Sequence, residues 1–174
     1  MKNVSILVPE SAVIESVADP QYMFSAANNF LISNNQDPIF KVNLVGSKKE
    51  IRFNSGMFSV HTNKLLEEVT QTDLIIIPAL FGDMKTAVKL NEEAIPWIVK
   101  HYEKGTEVAS LCVGAFLLAS TGILNGKKCS THWAFYNEFQ ETFPDVEVRD
   151  GSIITEENGI YSSGGANSYW NLLL

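Results

Sequence analysis

Apolar and polar positions along the chain alternate between two periods, and the elements follow from them. Val4, Ile6 and Val8, interleaved with Ser5 and Leu7, predict a strand that Pro9 stops. Met23, Ala26, Ala27, Phe30 and Leu31 then recur at helical spacing, which predicts a helix over 14–32 ended by Ser33-Asn34-Asn35. Pro20 falls in its first turns or at a break. Phe40 to Val45 reads as a second strand, and Gly46 to Lys49 as a turn. The runs 51–53 and 57–61 read as a short hairpin or edge excursion. Asp73 to Pro78 carries a continuous β-branched run, the pattern of a central parallel strand buried on both faces.

The second half repeats the alternation. Asn91, followed by Glu92 and Glu93, reads as the N-cap of a helix that carries Ile95, Trp97, Ile98 and Tyr102 and closes at Gly105. A strand over 106–111 leads into a helix over 113–120, and a further helix is predicted over 131–143, ended by Pro144. Short strands at 146–148, 153–154 and 160–161 precede a last helix over 166–174. Strands alternating with helices predict an α/β sandwich with a mostly parallel sheet and helices on both faces. The terminal pattern of Trp170, Leu172, Leu173 and Leu174 has no glycine cap and no cationic last turn. The expectation is one domain whose native protein continues past Leu174.

Composition narrows the classes. The chain has 174 residues, 45% of them hydrophobic, enough for one full core and too many for disorder. Lys and Arg number 13 against 20 Asp and Glu, a formal net charge of −7. Such a chain is a poor ligand for a phosphate backbone or an anionic membrane surface. No apolar stretch approaches the length of a membrane span, and no secretion signal is visible. Two cysteines make no disulfide framework, which points to the reducing cytoplasm. Neither metal-ligand spacing nor a dinucleotide or phosphate loop is present, so no cofactor and no metal are expected.

The segment Ser110-Leu111-Cys112-Val113-Gly114 joins the strand over 106–111 to a helix, with small residues two before and two after Cys112. That is the spacing of a nucleophile elbow, in which a sharp turn presents the side chain above the sheet. At a helix start the dipole and free N–H groups favour thiolate, and the Val113 N–H faces the space where an oxyanion would form. The alternative is a small cysteine filling a strand end. His132, in Ser130-Thr131-His132-Trp133, can serve as base or tune the thiol, or can simply bond backbone at a helix start. Glu15, followed by Ser16, and Glu10 lie beyond the first strand. Carboxyl ends of strands in such sheets converge on one crevice, so the first strand and the Cys112 strand are expected as neighbours. A buried carboxyl there can donate to sulfur. Gly82 offers a second oxyanion N–H, and Gly164 with Gly165 lines the crevice or turns the chain. His61, His101 and Cys129 read as structural.

Taken together these segments resemble the ThiJ/PfpI superfamily, which shares the class I glutamine-amidotransferase-like fold. The likeness is strongest to the amino-terminal domain of AraC-type transcriptional regulators. There a Cys-x-Gly-Ala-Phe-Leu-Leu-Ala run precedes Gly-x-Leu-x-Gly and Thr-Thr-His-Trp. Here Cys112 to Ala119, Gly122 to Gly126 and Ser130 to Trp133 carry it, and Phe143-Pro144-Asp145-Val146 extends it. The resemblance implies a flavodoxin-like three-layer sandwich, a homodimer, and DNA contact only through a carboxyl-terminal helix-turn-helix region absent from this chain. It makes a ligand-sensing domain the leading reading, with a small molecule near Cys112 and with Val113, Gly82, Ser16 and Gly164 as binding or oxyanion residues.

Protease-type members place His directly after the nucleophile, and members resembling isonitrile hydratase place Thr there. Here Val113, which can neither donate nor accept through its side chain, stands in that position. The rival reading is therefore a cysteine-dependent hydrolase, amidase or hydratase using Cys112, Glu15 and His132. A third is a redox sensor oxidised at Cys112.

Overall fold

The computed structural model describes residues 1–149, 151–165 and 169–174. Its centre is a seven-stranded sheet built of β1 (Lys2–Leu7), β2 (Phe40–Gly46), β5 (Lys64–Leu65), β6 (Leu74–Ile77), β7 (Glu107–Leu111), β10 (Ile154–Glu157) and β11 (Ile160–Ser163). The order across the sheet is β10-β11-β7-β6-β1-β2-β5, and every pair is parallel except β10 with β11. The hairpin β3 (Glu50–Phe53) and β4 (Phe58–His61) stands apart as its own antiparallel pair, as do β8 (Lys128–Cys129) and β9 (Glu147–Val148) in parallel.

The β-branched run in β6 explains the layering. Ile75 and Ile77 face one layer and Ile76 the other, and all three are fully buried. Each contributes about 1.5–3 kcal/mol by leaving water. Over one face lie α2 (Met84–Leu90), α3 (Ala94–Tyr102), α4 (Ala115–Ala119) and α5 (Tyr136–Thr142). Phe116 of α4 is the hub of that layer, meeting the rings of Phe135, Phe139 and Phe143 edge-on. Over the other face lie α1 (Glu15–Ser33), α6 (Tyr169–Leu173) and the β3–β4 hairpin. The expected three-layer α/β sandwich is thus what the chain forms. Among the described residues no helix is long and apolar enough to cross a membrane.

Several local expectations are corrected. Asn91 is not a helix N-cap; it ends α2, an element the sequence pattern did not reveal. Its side chain accepts from the Glu10 N–H at 2.7 Å and donates to the Glu10 and Ala87 carbonyls at 2.8 Å each. The helix expected from 131 begins as a 3-10 turn at Trp133–Phe135, and that expected from 113 begins as one at Cys112–Gly114. β1 and β7 are not neighbours, because β6 lies between them. The last helix is seen over Tyr169–Leu173, while 166–168 fall outside the described residues.

Candidate functional site

β7 ends at Leu111, and the chain turns sharply at Cys112, whose φ is +54°. A non-glycine residue in this region carries about 1–3 kcal/mol of strain, so its surroundings must impose the turn. Gly114 is one such constraint. A Cβ there would lie 2.4 Å from the Pro78 carbonyl oxygen and 2.8 Å from that of Ile77. Two more come from the flanks: the Cys112 N–H donates to Ser163 Oγ at 3.4 Å, and Thr131 Oγ1 donates to the Cys112 carbonyl at 3.5 Å. The chain turns sharply where the spacing places the elbow, and Ser163 and Thr131 bond the turn unforeseen. A run of small polar residues at the carboxyl end of the strand beside β7, Ser162-Ser163-Gly164, was the signal that could have flagged them.

The thiolate expectation is corrected. Cys112 is only 7% exposed, and burial holds its thiol above the ordinary value. The Val113 N–H pulls the other way and is the weaker influence. Physically, a single 3-10 turn followed by a five-residue helix supplies little dipole, while desolvation acts on the whole charge.

The expected partners are placed around the elbow without touching its sulfur. His132 caps the turn at 133–135, its Nδ1 accepting from the Ala134 N–H at 3.2 Å, and its ring lies against Trp133 and Phe135. It makes no hydrogen bond to Cys112. Glu15 opens α1 with an exposed carboxylate. Ser16 is fully buried and fully engaged, donating to the Val13 carbonyl at 2.6 Å and accepting from the Ala79 N–H at 3.0 Å. Its hydroxyl thereby ties α1 to the loop after β6. Gly82, at φ +92°, makes an exposed turn into α2, where Asp83 caps by accepting from the Thr86 N–H at 2.8 Å. Glu10 forms an ion pair with Lys48 at 2.5 Å.

Two cavities are lined by residues expected at the site, Gly164 in one and Glu15 in the other. One, of about 240 Å3, is walled by Thr131, Trp133, Tyr136, Arg149, Ile153 and Gly164, among others. Gly164 is required there, since a Cβ would meet the Ser152 carbonyl oxygen at 2.8 Å. The other, of about 500 Å3, lies between the start of α1, the β3–β4 hairpin and the loop after β6. Cys112 is not among the described residues lining either. Tyr169 of α6 is buried, and burial first, then its 2.7 Å hydrogen bond to Asp19 and the charge of that carboxylate, raise its phenol. Among the described residues no three His, Cys, Asp or Glu side chains converge as metal ligands would.

A mostly parallel sheet with helices on both faces defines the class of flavodoxin-like α/β sandwiches. The chain belongs to the DJ-1/PfpI family, whose pattern matches residues 30–173. Its relatives include the HTH-type transcriptional regulator CdhR of Pseudomonas aeruginosa, 27% identical over 114 residues, covering 66% of this chain and 33% of the relative. They also include an isonitrile hydratase of Pseudomonas putida, 26% identical over 99 residues, covering 57% of this chain and 41% of the relative. Among solved structures, a transcriptional regulator protein from Vibrio parahaemolyticus superimposes with a TM-score of 0.84 at 21% identity, covering 99% of this chain and 90% of that one. The chain spans about a third of the length of CdhR.

Proposed function

We propose that this chain is the ligand-sensing domain of an AraC-type transcriptional regulator. The observation that carries the reading is the state of the elbow. Cys112 keeps the turn of a nucleophile but is buried with a raised thiol, and neither His132 nor Glu15 reaches it. A buried thiol with no base hydrogen-bonded to it favours binding over turnover. The relationship to a helix-turn-helix regulator, of which the matched segment covers 33%, supports the same reading. In it, a small molecule occupies the crevice around the elbow, biases a homodimer, and repositions DNA-binding domains outside this chain. Ser163, Thr131 and Gly164 then connect ligand and elbow.

The test is thermal denaturation of the chain across a small-molecule library, with turnover assayed for every stabiliser. Ligand-dependent stabilisation without product is the expected result. Sustained product formation, abolished in Cys112→Ala, would overturn it.

One observation favours the second reading, a hydratase: a relative in the family is an isonitrile hydratase, and the positive φ at Cys112 retains the geometry for attack. Cyclohexyl isocyanide is its direct probe. Formation of the N-substituted formamide by this chain would establish hydratase chemistry.

A further inference from the structure

At the end of the sheet opposite the elbow, β1, β6 and β7 begin. Between their starts and the end of α3 lies a cavity of about 350 Å3, within the size range of small-molecule sites. Its walls come from Lys2, from the segment 70–73, and from the connection between α3 and β7. His101 is a buried member of that wall, 2% exposed, and its Nε2 has no hydrogen-bond partner among the described residues. A buried ring nitrogen is costly to leave unpaired, and most such atoms in folded proteins have a partner.

The other polar groups of the cavity divide into engaged acceptors and spare donors. Asp73 accepts from the Asn3 N–H at 2.7 Å and pairs with Lys2 at 3.7 Å. Glu107 accepts from the Tyr161 hydroxyl at 3.0 Å. The hydroxyls of Thr72 and Thr106 donate to backbone carbonyls. Lys104, by contrast, joins none of the ion pairs formed by the described residues. The N–H groups of Thr70, Gln71 and Thr72 donate to no described acceptor. Spare donors suit an anion, and several oxygens on one anion can meet several donors. Two ammonium groups, Lys2 and Lys104, balance the two carboxylates, so a proton on His101 leaves the cavity net positive.

We propose that this cavity binds a small oxyanion between Lys104 and His101, and that His101 takes up a proton on Nε2 as the anion enters. Without the anion the ring is held neutral: burial pushes its pKa down, and the ammonium groups of Lys104 and Lys100 on its own helix push it further. The Val69 carbonyl acts weakly the other way. From the neighbouring elements, Lys2, Asp73 and Glu107 line the same cavity, and Trp97 covers the ring edge-on, 4.8 Å between centroids. An oxyanion offsets the ammonium groups and gives the protonated Nε2 an acceptor, so it favours the charged ring. By linkage the anion binds more tightly as pH falls. The site owes nothing to the elbow, so its failure leaves the sensing reading untouched.

Sulfate is the probe, because it stays a dianion wherever histidine titrates, and any pH dependence then belongs to the protein. It is titrated into the 174-residue chain, isotope-labelled at its three histidines, with chloride holding the ionic strength constant. Ring signals are followed by NMR. Sulfate should move the titration midpoint of His101 to higher pH and leave those of His61 and His132 in place. Its affinity should rise about three- to ten-fold between about pH 7.5 and about pH 5.5. Lys104 is exposed and joins no ion pair among the described residues, so Lys104→Gln should keep the fold. It should weaken sulfate roughly three- to ten-fold, as loss of one screened charge does. A His101 midpoint that ignores sulfate overturns the site. So do three midpoints that move together, as general electrostatics would move them, and a sulfate affinity unchanged in Lys104→Gln.

Discussion

Cys112 shows how the same residue can look reactive by position and be quiet by environment. Its place after β7 and its φ of +54° were legible as spacing, since a turn that tight needs small neighbours. Its burial was not, because that depends on Ser163, Thr131 and the helices above. The chemical consequence is measurable: burial favours the neutral thiol, so iodoacetamide should label Cys112 slowly at neutral pH, with a rate that rises only above the ordinary thiol range near pH 9. An inflection at or below pH 7 would contradict this. Cys129 goes further, fully buried and pushed up to about 12 by desolvation, and should stay unlabelled until the protein unfolds. Because its value is raised in the folded state, that state holds the proton longer. Stability is therefore intact below about pH 9 and falls as pH rises towards 12. Urea midpoints across that range should decline, and Cys129→Ala should flatten the decline. Gly114 gives the steric counterpart. Gly114→Ala forces a methyl group onto two backbone carbonyls that cannot rotate away, and should cost about 1–3 kcal/mol or more in urea denaturation.

Among the elements, those with strong periodicity were legible and those defined by tertiary contacts were not. β6 announced itself because a strand buried on both faces must be apolar throughout. α2 did not, because only Met84 and Ala87 of its seven residues are buried, which leaves no stripe. The two-residue strands β5 and β8 exist only as partners of β2 and β9, and nothing local encodes them. Asn91 was misread for a related reason. Its sequence context is that of a cap, yet its side chain reaches across the fold to the Glu10 backbone. Ser16 couples elements in the same way and was expected at the ligand. Because its hydroxyl is buried and satisfied by Val13 and Ala79, Ser16→Ala leaves the Ala79 N–H without a partner. The expected cost is about 1–3 kcal/mol of stability, read from urea melts, with Asn91→Ala in the same range. A Ser16→Ala protein of unchanged stability would show that the link between α1 and the loop after β6 is dispensable. The cavity between α1, the hairpin and that loop follows from the same couplings. Its aromatic lining was invisible in the sequence because Phe53 and Phe58 lie on the hairpin and Phe81 on the distant loop after β6.

At the scale of the whole molecule, charge bears on the regulator reading proposed above. A domain with 20 acidic and 13 basic side chains repels a phosphate backbone unless its cations are concentrated on one face. The described ion pairs work against such a face: Lys2, Lys48, Lys49, Arg52 and Arg149 are each held by a carboxylate. Exposed pairs of this kind add little stability, but each cation already has a counter-charge that DNA would have to replace. The 174-residue chain should therefore leave duplex DNA unshifted in a gel even at low salt, where electrostatic attachment is strongest. The same negative field raises the local concentration of cations and lowers that of anions. A salt-sensitive gel shift by this chain alone would place a nucleic-acid surface on the domain itself, and the separation of sensing from DNA contact would have to be abandoned.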